Sequence, residues 1–204
     1  MSEPPRKRGR PRGFDPALAL ASATATFARH GFSGSSLEDL TAAMALSKPS
    51  LYAAFGDKRA LYLRALAEHA AVRTRRYAEA FGRGVTVEAA LRGLFEEAVA
   101  VSLAADGAPG CLIASSATSE AVDHPEVAAF TRDFFASCDR ALAKGVRARL
   151  VREGAVAAAT IARLATGVVN DLALRARVGE PRARLLEHAR AAAAALALAA
   201  AAPP

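Results

Sequence analysis

The sequence predicts an all-α fold, with a small three-helix head at the N-terminus and a larger helical bundle behind it. Apolar residues recur at steps of three and four positions in successive segments, as they do along one face of an α-helix. Capping residues or prolines precede several of these segments, and glycines follow several of them. No segment shows the strict alternation that is typical of a half-buried strand. With 204 residues, 52% of them hydrophobic, the chain can bury a substantial core.

The first helix of the head is predicted from Asp15 to His30. Asp15 can cap the first turn, and Pro16 is tolerated there because that turn has no partner for its N–H groups. An apolar stripe that includes Phe27 can pack beneath the next two helices. Gly31 then ends the helix.

Two short helices follow the first one. Ser35 and Glu38 are spaced as a capping box, which predicts a helix start at Ser35. Ser47, with Pro49 close behind it, predicts the start of the next helix. Only about three residues, 44–46, separate the two helices. Such a short connection forces a steep crossing angle, so the N-terminal residues of the second helix project outward, as a DNA major-groove reader requires.

The head resembles a known family of DNA-binding proteins. The segment LEDLTAAMALSKPSLYAAFGDKRALY, preceded by Phe27-Ala28-Arg29-His30-Gly31-Phe32, resembles the TetR/AcrR family of bacterial one-component repressors. The resemblance is specific over roughly residues 14–64, and beyond them it is only architectural. Ala45 is a departure, because the family usually has glycine in this turn and glycine favours positive φ. The resemblance implies an effector-binding body and a homodimer in which the last two helices of each chain form a four-helix interface.

The second of the short helices is expected to contact DNA. Lys48 can reach either a guanine edge or a phosphate, and the resemblance implies both uses. It also implies phosphate contacts by the hydroxyl of Tyr52 and by Lys58, at the start of the fourth helix. The residues expected at the DNA interface are Arg8, Arg10, Ser35, Ser36, Lys48, Pro49, Ser50, Tyr52 and Lys58.

The positive charge of the chain is concentrated at its N-terminus. The net charge is +7, and residues 1–14 contain five basic residues and one acidic residue. Such an arm favours contact with a polyanion. Arg8-Gly9-Arg10-Pro11 looks like an AT-hook, in which an extended Arg-Gly-Arg lies in the minor groove of A·T-rich DNA. The alternative is a basic tail that only raises non-specific affinity.

The rest of the chain is predicted to be helical, and the head ends near residue 60. The predicted division is a basic arm at 1–13, a helix-turn-helix domain at 14–60 and a helical effector-binding and dimerisation domain at 61–204. Helix 4 is long, and its arginines Arg73, Arg75 and Arg76 are most simply interpreted as a solvated face. The predicted body helices run over about 57–81, 86–105, 111–121, 124–153, 156–178 and 181–200.

Two sets of residues are candidates for an effector site. Cys111 begins a short helix, whose dipole would favour the thiolate. Gly110-Cys111-Leu112 also resembles a motif in a branch of the family that includes sensors of electrophiles or oxidants; the alternative is a small core thiol. The second set would line a pocket in the body. Aromatic residues at this spacing are usually core, and Asn170 could equally cap a helix or bond across a dimer. The pocket candidates are Phe95, Phe130, Phe134 and Asn170.

The composition argues against other classes of protein. The four histidines lack metal-ligand spacing, and neither a GxSxG motif nor a phosphate-binding glycine loop is present. We therefore expect neither catalytic residues nor a metal or other cofactor. No apolar stretch reaches the ~20 residues that span a bilayer, and the N-terminus has no apolar signal region. The two cysteines do not form a disulfide framework, so we expect a cytoplasmic protein without a membrane partner.

These observations predict a transcriptional regulator of the repressor type. It would bind a palindromic DNA operator as a homodimer and be released by a small-molecule or reactive effector of unknown identity. The alternative is a ligand-independent architectural protein that prefers A·T-rich DNA, suggested by the basic arm. A body more than twice the size of the head argues against the alternative.

Overall fold

Helices form all the regular secondary structure in the computed structural model, which describes residues 14–104, 108–150 and 156–202. The basic arm, with Arg8 and Arg10, lies outside the described residues. The helices are α1 (Pro16–His30), α2 (Leu37–Met44), α3 (Lys48–Phe55), α4 (Lys58–Gly82), α5 (Val87–Leu103), a π-helical turn (Ile113–Ala117) continued by α6 (Thr118–Glu120), α7 (Pro125–Arg147), α8 (Ala158–Arg177) and α9 (Arg182–Ala201).

The predicted caps of α1, α3 and α4 are confirmed. The Asp15 carboxylate accepts a hydrogen bond from the Ala17 N–H at 2.8 Å. The Ser47 hydroxyl accepts from the N–H of residue 50 at 3.3 Å, and the Asp57 carboxylate accepts from the N–H of residue 60 at 2.7 Å. Each side chain satisfies a donor of the first turn that has no partner within its own helix.

The predicted cap of α2 is wrong by one residue. Ser36 is the N-cap, and it forms a reciprocal capping box with Asp39, whose N–H donates to the Ser36 hydroxyl at 3.0 Å. Ser35 is only 1% exposed, and its hydroxyl donates to the Gly31 carbonyl at 2.6 Å. Both serines have an acidic residue three positions later, but Ser35 is used to close the turn after α1.

The turn between α2 and α3 adopts a left-handed conformation at Ala45. This residue has φ 52° and ψ 42°, and among the described residues it is the only one other than glycine with positive φ. The Ala45 N–H donates to the Ala42 carbonyl at 3.2 Å, and the Leu46 N–H donates to the Thr41 carbonyl at 3.0 Å. The turn therefore has the geometry that glycine favours, although alanine occupies it.

Two hydrophobic cores hold the chain together. The first contains apolar residues from α1, α2 and α3, the N-terminal half of α4, and residues that include Leu112 and Ile113. The second surrounds α5, which packs against α4, α8 and α9, and Phe95 lies fully buried within it. Because α4 contributes to both cores, it connects the head to the body as one continuous rod.

Helix α7 ends at Arg147, about six residues before its predicted end. The chain then turns tightly, with the Arg149 N–H bonded to the Val146 carbonyl at 2.9 Å. The Arg149 guanidinium also donates to the Gly145 carbonyl at 2.9 Å and to the Gly84 carbonyl at 2.8 Å. This side chain satisfies a terminal carbonyl of α7 and connects it to the loop after α4.

Candidate DNA-binding surface and effector cavity

Helix α3 has a buried face and an exposed face. Leu51 and Phe55 are buried against the head core. Lys48, Pro49 and Tyr52 are exposed, and Tyr52 retains 47% of its surface. Their spacing places them on one side of the helix, since residues four apart lie about one turn from each other. The outward face therefore offers an ammonium group, a phenol and a proline ring to a partner.

Lys48 forms an exposed ion pair with Glu38 of α2. The hydrogen bond from the ammonium to the carboxylate raises the pKa of Lys48 and lowers the pKa of Glu38. Both groups therefore keep their charge near neutral pH. In the free protein the Lys48 charge is balanced by a carboxylate that would also face a DNA phosphate.

The Lys58 ammonium contacts an aromatic ring, whereas the Lys48 ammonium contacts a carboxylate. The Lys58 ammonium lies 4.5 Å from the centre of the Phe32 ring, within the range of a cation–π contact. Lys58 is also the first residue of α4, directly after the Asp57 cap. The charge of Lys58 is therefore held near the turn that follows α1.

The serines expected at the DNA interface differ in accessibility. The Ser35 side chain is buried and bonded internally, so its hydroxyl is not presented at this surface. Ser36 is exposed, with its hydroxyl donating to Asp39 at 2.6 Å. Ser50 is also exposed, and its hydroxyl lies 2.9 Å from that of Ser47. Ser36 and Ser50 can present a hydroxyl to DNA only by sharing it with these partners.

A cavity of about 220 Å³ lies between α4, α7 and α8. Three of the five candidates for an effector site line it, namely Cys111, Phe134 and Asn170. The other two do not line it: Phe95 is fully buried in the body core, and Phe130 packs against the head core. Their spacing predicted burial, but it could not identify the helix that each would face. The remaining lining includes Arg73, Thr74, Tyr77, Ala78, Phe81, Phe135, Cys138, Ala141, Leu142, Arg149 and Val169.

Cys111 is paired with His69, a residue that the sequence analysis did not select. The Cys111 thiol lies 3.5 Å from His69 Nε2, and the Leu112 N–H donates to the same nitrogen at 3.3 Å. Burial lowers the pKa of His69 to about 3, so the imidazole is neutral and Nε2 acts as an acceptor. Nε2 can therefore accept a hydrogen bond from the thiol. Residues 69 and 111 are too far apart in the chain for local spacing to indicate this pair.

The interpretation of Arg73 as part of a solvated face is wrong. Its side chain is 4% exposed and lies at the cavity wall, whereas Arg75 and Arg76 are exposed. Arginine is seldom fully buried unless it is paired, so its sequence context gave no reason to expect this position. Among the described residues, its hydrogen-bond acceptors are uncharged.

The head contacts the body through the segment that follows Cys111. The Ser33 N–H and hydroxyl donate to the Glu120 carboxylate at 3.2 and 3.0 Å. The Tyr62 phenol and the Ser116 hydroxyl are hydrogen-bonded at 2.8 Å in a buried site, where burial raises the pKa of Tyr62 to about 12. Residues 111–120 therefore run from the cavity wall to the turn after α1.

Membrane-spanning helices and clusters of metal-ligating side chains are both absent from the described part of the chain. No helix there is long and apolar enough to cross a membrane. In the same residues, no group of three or more histidine, cysteine, aspartate or glutamate side chains is arranged to hold a metal ion.

The chain is similar to known bacterial regulators. Residues 19–65 match the family model described as bacterial regulatory proteins, tetR family. The chain is 32% identical over 122 residues to the uncharacterized HTH-type transcriptional regulator YezE of Bacillus subtilis, covering 60% of this chain and 63% of YezE. It is 28% identical over 189 residues to the HTH-type transcriptional repressor ComR of Escherichia coli, covering 90% of each chain.

Solved structures have the same fold. One is a cysteine mutant of the TetR family transcriptional regulator CifR complexed with 26-bp double-strand operator DNA, with TM-score 0.83 and 28% identity over 91% of this chain and 99% of that one. Another is a TetR-family transcriptional regulator from Streptomyces coelicolor, with TM-score 0.77 and 16% identity over 91% and 95% of the two chains, a likeness that concerns the fold alone.

Proposed function

The chain belongs to the TetR family and is a DNA-binding transcriptional regulator, and from this premise we propose that it is a cytoplasmic repressor released from its operator by an effector. The proposal rests mainly on the exposed face of α3, which carries Lys48 and Tyr52 on a helix anchored by Leu51 and Phe55. The similar regulator CifR is bound to operator DNA in its solved structure. Lys48, Pro49, Ser50, Tyr52 and Lys58 are the contact residues that we propose, with Arg8 and Arg10 added by the arm.

Homodimerisation through α8 and α9 is part of this proposal. Leu164 and Leu174 of α8 and Val178 at its C-cap are exposed apolar residues within an arc of about 80° around the helix. Leu198 of α9 is 74% exposed. Leu172 and Leu185 of the same helices are instead buried in the protomer's own core. A second copy of this surface would cover the exposed leucines and would supply the second head of a palindrome reader.

Sedimentation velocity tests the dimer directly. The wild-type chain should sediment as a dimer, and Leu174→Glu should shift it toward monomer. Val122→Glu is the matched control, because Val122 is also exposed but lies far along the chain from α8 and α9. A monomeric wild-type protein at micromolar concentration, or equal effects of the two variants, would contradict the proposed interface.

Selection of genomic fragments with the purified protein, followed by footprinting, tests specific DNA binding. A protected palindrome near a promoter supports the repressor. Broad protection of A·T-rich DNA without symmetry supports the architectural alternative instead. Deletion of residues 2–13 separates two roles of the arm: a loss concentrated on A·T-flanked sites supports minor-groove contact, and an equal loss on all flanks reduces the arm to a non-specific tail.

An effector would act through the segment between the cavity and the head. Cys111 lines the cavity, and Glu120 at the far end of the same segment holds the turn after α1. A molecule that binds one conformation of this segment more tightly than another increases the population of that conformation, and with it the matching position of the heads. The size of the shift is set by the ratio of its affinities for the two conformations. Glu120→Gln should weaken the effector's influence on operator affinity while its binding to the cavity remains.

A reactive effector would use the Cys111–His69 pair. As the sulfur attacks a quinone carbon or a diamide nitrogen, the thiol proton passes to the oxygen or nitrogen anion that the addition creates, and His69 Nε2, at 3.5 Å from the sulfur, orients the thiol beforehand. Cys111→Ser should then abolish operator release by quinones or diamide and preserve operator binding. If Cys111→Ser retains the full response to these reagents, the effector is not a thiol-reactive compound.

A further inference from the structure

The cavity has positive charge in its walls and no acidic residue to balance it. Arg73 and Arg149 both line it, and none of the described lining residues is aspartate or glutamate. Cys138, which also lines it, stays uncharged because burial raises the pKa of its thiol to about 11. Among the described lining residues, a molecule entering this cavity meets two guanidinium groups and no carboxylate.

The two arginines differ in which of their nitrogens already donate hydrogen bonds. The Arg149 guanidinium donates to three backbone carbonyls and lies over the Phe81 ring, 4.8 Å from its centre. Arg73 donates through Nη1 to Tyr77 at 2.9 Å and to Ser102 at 3.5 Å, and through Nη2 to the Gly110 carbonyl. No described residue accepts from Arg73 Nε. Each guanidinium thus uses three of its five N–H donors, but every nitrogen of Arg149 already donates, whereas the Nε donor of Arg73 stays available to a ligand.

All three acceptors of Arg73 are uncharged. Burial raises the pKa of the Tyr77 phenol, so it keeps its proton and is not a counter-ion. The neighbouring acids are bonded to other groups: Glu97 accepts from Arg76 at 2.6 Å, and Asp139 accepts from the Thr166 hydroxyl at 2.7 Å. A guanidinium that is 4% exposed and has only neutral acceptors is a costly arrangement, and an anion would relieve it.

The rest of the wall is mainly apolar. Phe81, Phe134, Phe135, Leu142 and Val169 contribute rings and branched side chains. The volume of about 220 Å³ is below the ~300 Å³ at the lower end of common ligand pockets. Exposed lining residues such as Thr74 and Ala78 mark an opening to solvent. The walls therefore match a small ligand with a hydrocarbon body and one negatively charged end.

We propose that this cavity binds a small apolar carboxylate, whose carboxylate group pairs with Arg73 and whose hydrocarbon part packs against the phenylalanines. Arginine suits this role because its planar guanidinium can donate two parallel hydrogen bonds to a carboxylate. The ligand would displace or share the contacts of Arg73 with Ser102 and Gly110. Since Gly110 directly precedes Cys111, the pairing would act on the segment that leads to the head. As an assignment of the effector's class, the inference rests on the proposed function.

Isothermal titration calorimetry of the full chain without DNA tests the inference. Three carboxylates are titrated beside their amides: benzoate, 3-phenylpropionate and hexanoate against benzamide, 3-phenylpropionamide and hexanamide. At least one carboxylate should bind about tenfold or more tightly than its amide, because a hydrogen bond to a charged group contributes more than one between neutral groups. If no carboxylate binds better than its amide, the inference is overturned.

Variants of Arg73 attribute the preference to one residue. Arg73→Met should abolish the difference between carboxylate and amide, and Arg75→Met, an exposed change on the same helix, should preserve it. Arg73→Lys keeps the charge and loses the paired donors, so it should reduce carboxylate affinity severalfold and leave amide affinity unchanged. This variant gives a decision even if Arg73→Met does not fold. A preference that survives both Arg73 variants overturns the inference.

Asp106 requires its own control, because residues 105–107 lie outside the described structure. If its carboxylate neutralised Arg73, Asp106→Asn would tighten carboxylate binding by tenfold or more and overturn the inference. Unchanged binding supports it. Operator binding is measured separately by fluorescence anisotropy. If the wild-type chain binds carboxylates but no specific DNA site, the proposed function is contradicted. If it binds a specific DNA site but prefers no carboxylate, only the ligand class is contradicted.

Discussion

Replacing Ala45 with glycine should stabilise the folded protein by about 0.5–1 kcal/mol. Ala45 occupies the left-handed region, with φ 52° and ψ 42°, where a residue with a Cβ is less stable by roughly 1–2 kcal/mol. Glycine removes that cost but gains freedom in the unfolded chain, which offsets about 0.4–1 kcal/mol. The alanine is exposed, so loss of its methyl group leaves no cavity. For a chain of this size, ~1 kcal/mol corresponds to roughly 2–4 °C in Tm.

Urea denaturation at fixed protein concentration measures the effect, since a dimer's apparent stability depends on concentration. The matched control is Ala42→Gly, an exposed position inside α2, which should destabilise the protein by about 0.5–1 kcal/mol. The two substitutions are chemically identical and should have opposite signs. If Ala45→Gly lowers stability as much as Ala42→Gly does, the left-handed conformation of this turn is refuted. Operator affinity should stay within about twofold of wild type, because glycine preserves the turn that orients α3.

Three further predictions concern single side chains. Lys58→Ala should weaken binding to all DNA sequences and reduce the salt dependence of binding, whereas Lys48→Ala should also relax the preference at particular base pairs by about tenfold; equal losses on every sequence would make Lys48 a phosphate contact only. Glu38→Gln should strengthen operator binding about threefold at low salt, because it frees the Lys48 ammonium and removes a carboxylate near the phosphates; weaker binding would count against this ion pair as a competitor of DNA. Burial lowers the pKa of His69 to about 3 in the folded protein, whereas in the unfolded chain the imidazole takes up a proton near pH 6.5. The free energy of unfolding should therefore fall by up to about 1.4 kcal/mol per pH unit as the pH decreases from 6.5 toward 3. Denaturation of His69→Gln at several pH values should lack this part of the slope, and an unchanged slope would contradict a neutral, buried imidazole.

The helices of the head could be predicted because their signals are local. A capping side chain and the N–H group that it accepts from lie within three residues of each other, as with Asp15, Ser47 and Asp57. The same reasoning misplaced the start of α2, where two adjacent serines had equivalent local partners. The contact between the Ser35 hydroxyl and the Gly31 carbonyl decided between them. That contact depends on the path of the chain after α1, which spacing alone does not encode.

The cavity was harder to predict than the head. Spacing indicated that Phe95, Phe130 and Phe134 would be buried, and only Phe134 lines the cavity. Apolar periodicity identifies the buried face of a helix, but it does not identify the neighbouring helix that covers that face. Arg73 was assigned to the solvated face because charged residues usually lie there. Its burial follows from the packing of α5 and the loop containing Gly110 around α4.

The amino-acid sequence by itself determined the helical class, the caps of α1, α3 and α4, the exposed face of α3 and the resemblance of residues 14–64 to a family of regulators. These properties depend on interactions within one or two helical turns. Only the tertiary structure decided which side chains share the cavity, that Cys111 meets His69, and that Arg73 is buried without an acidic partner among the described residues. The contacts of Arg73 with Ser102 and Gly110 and of Cys111 with His69 join residues 29 to 42 positions apart. The approach of such residues is set by how all the helices pack together rather than by their local propensities.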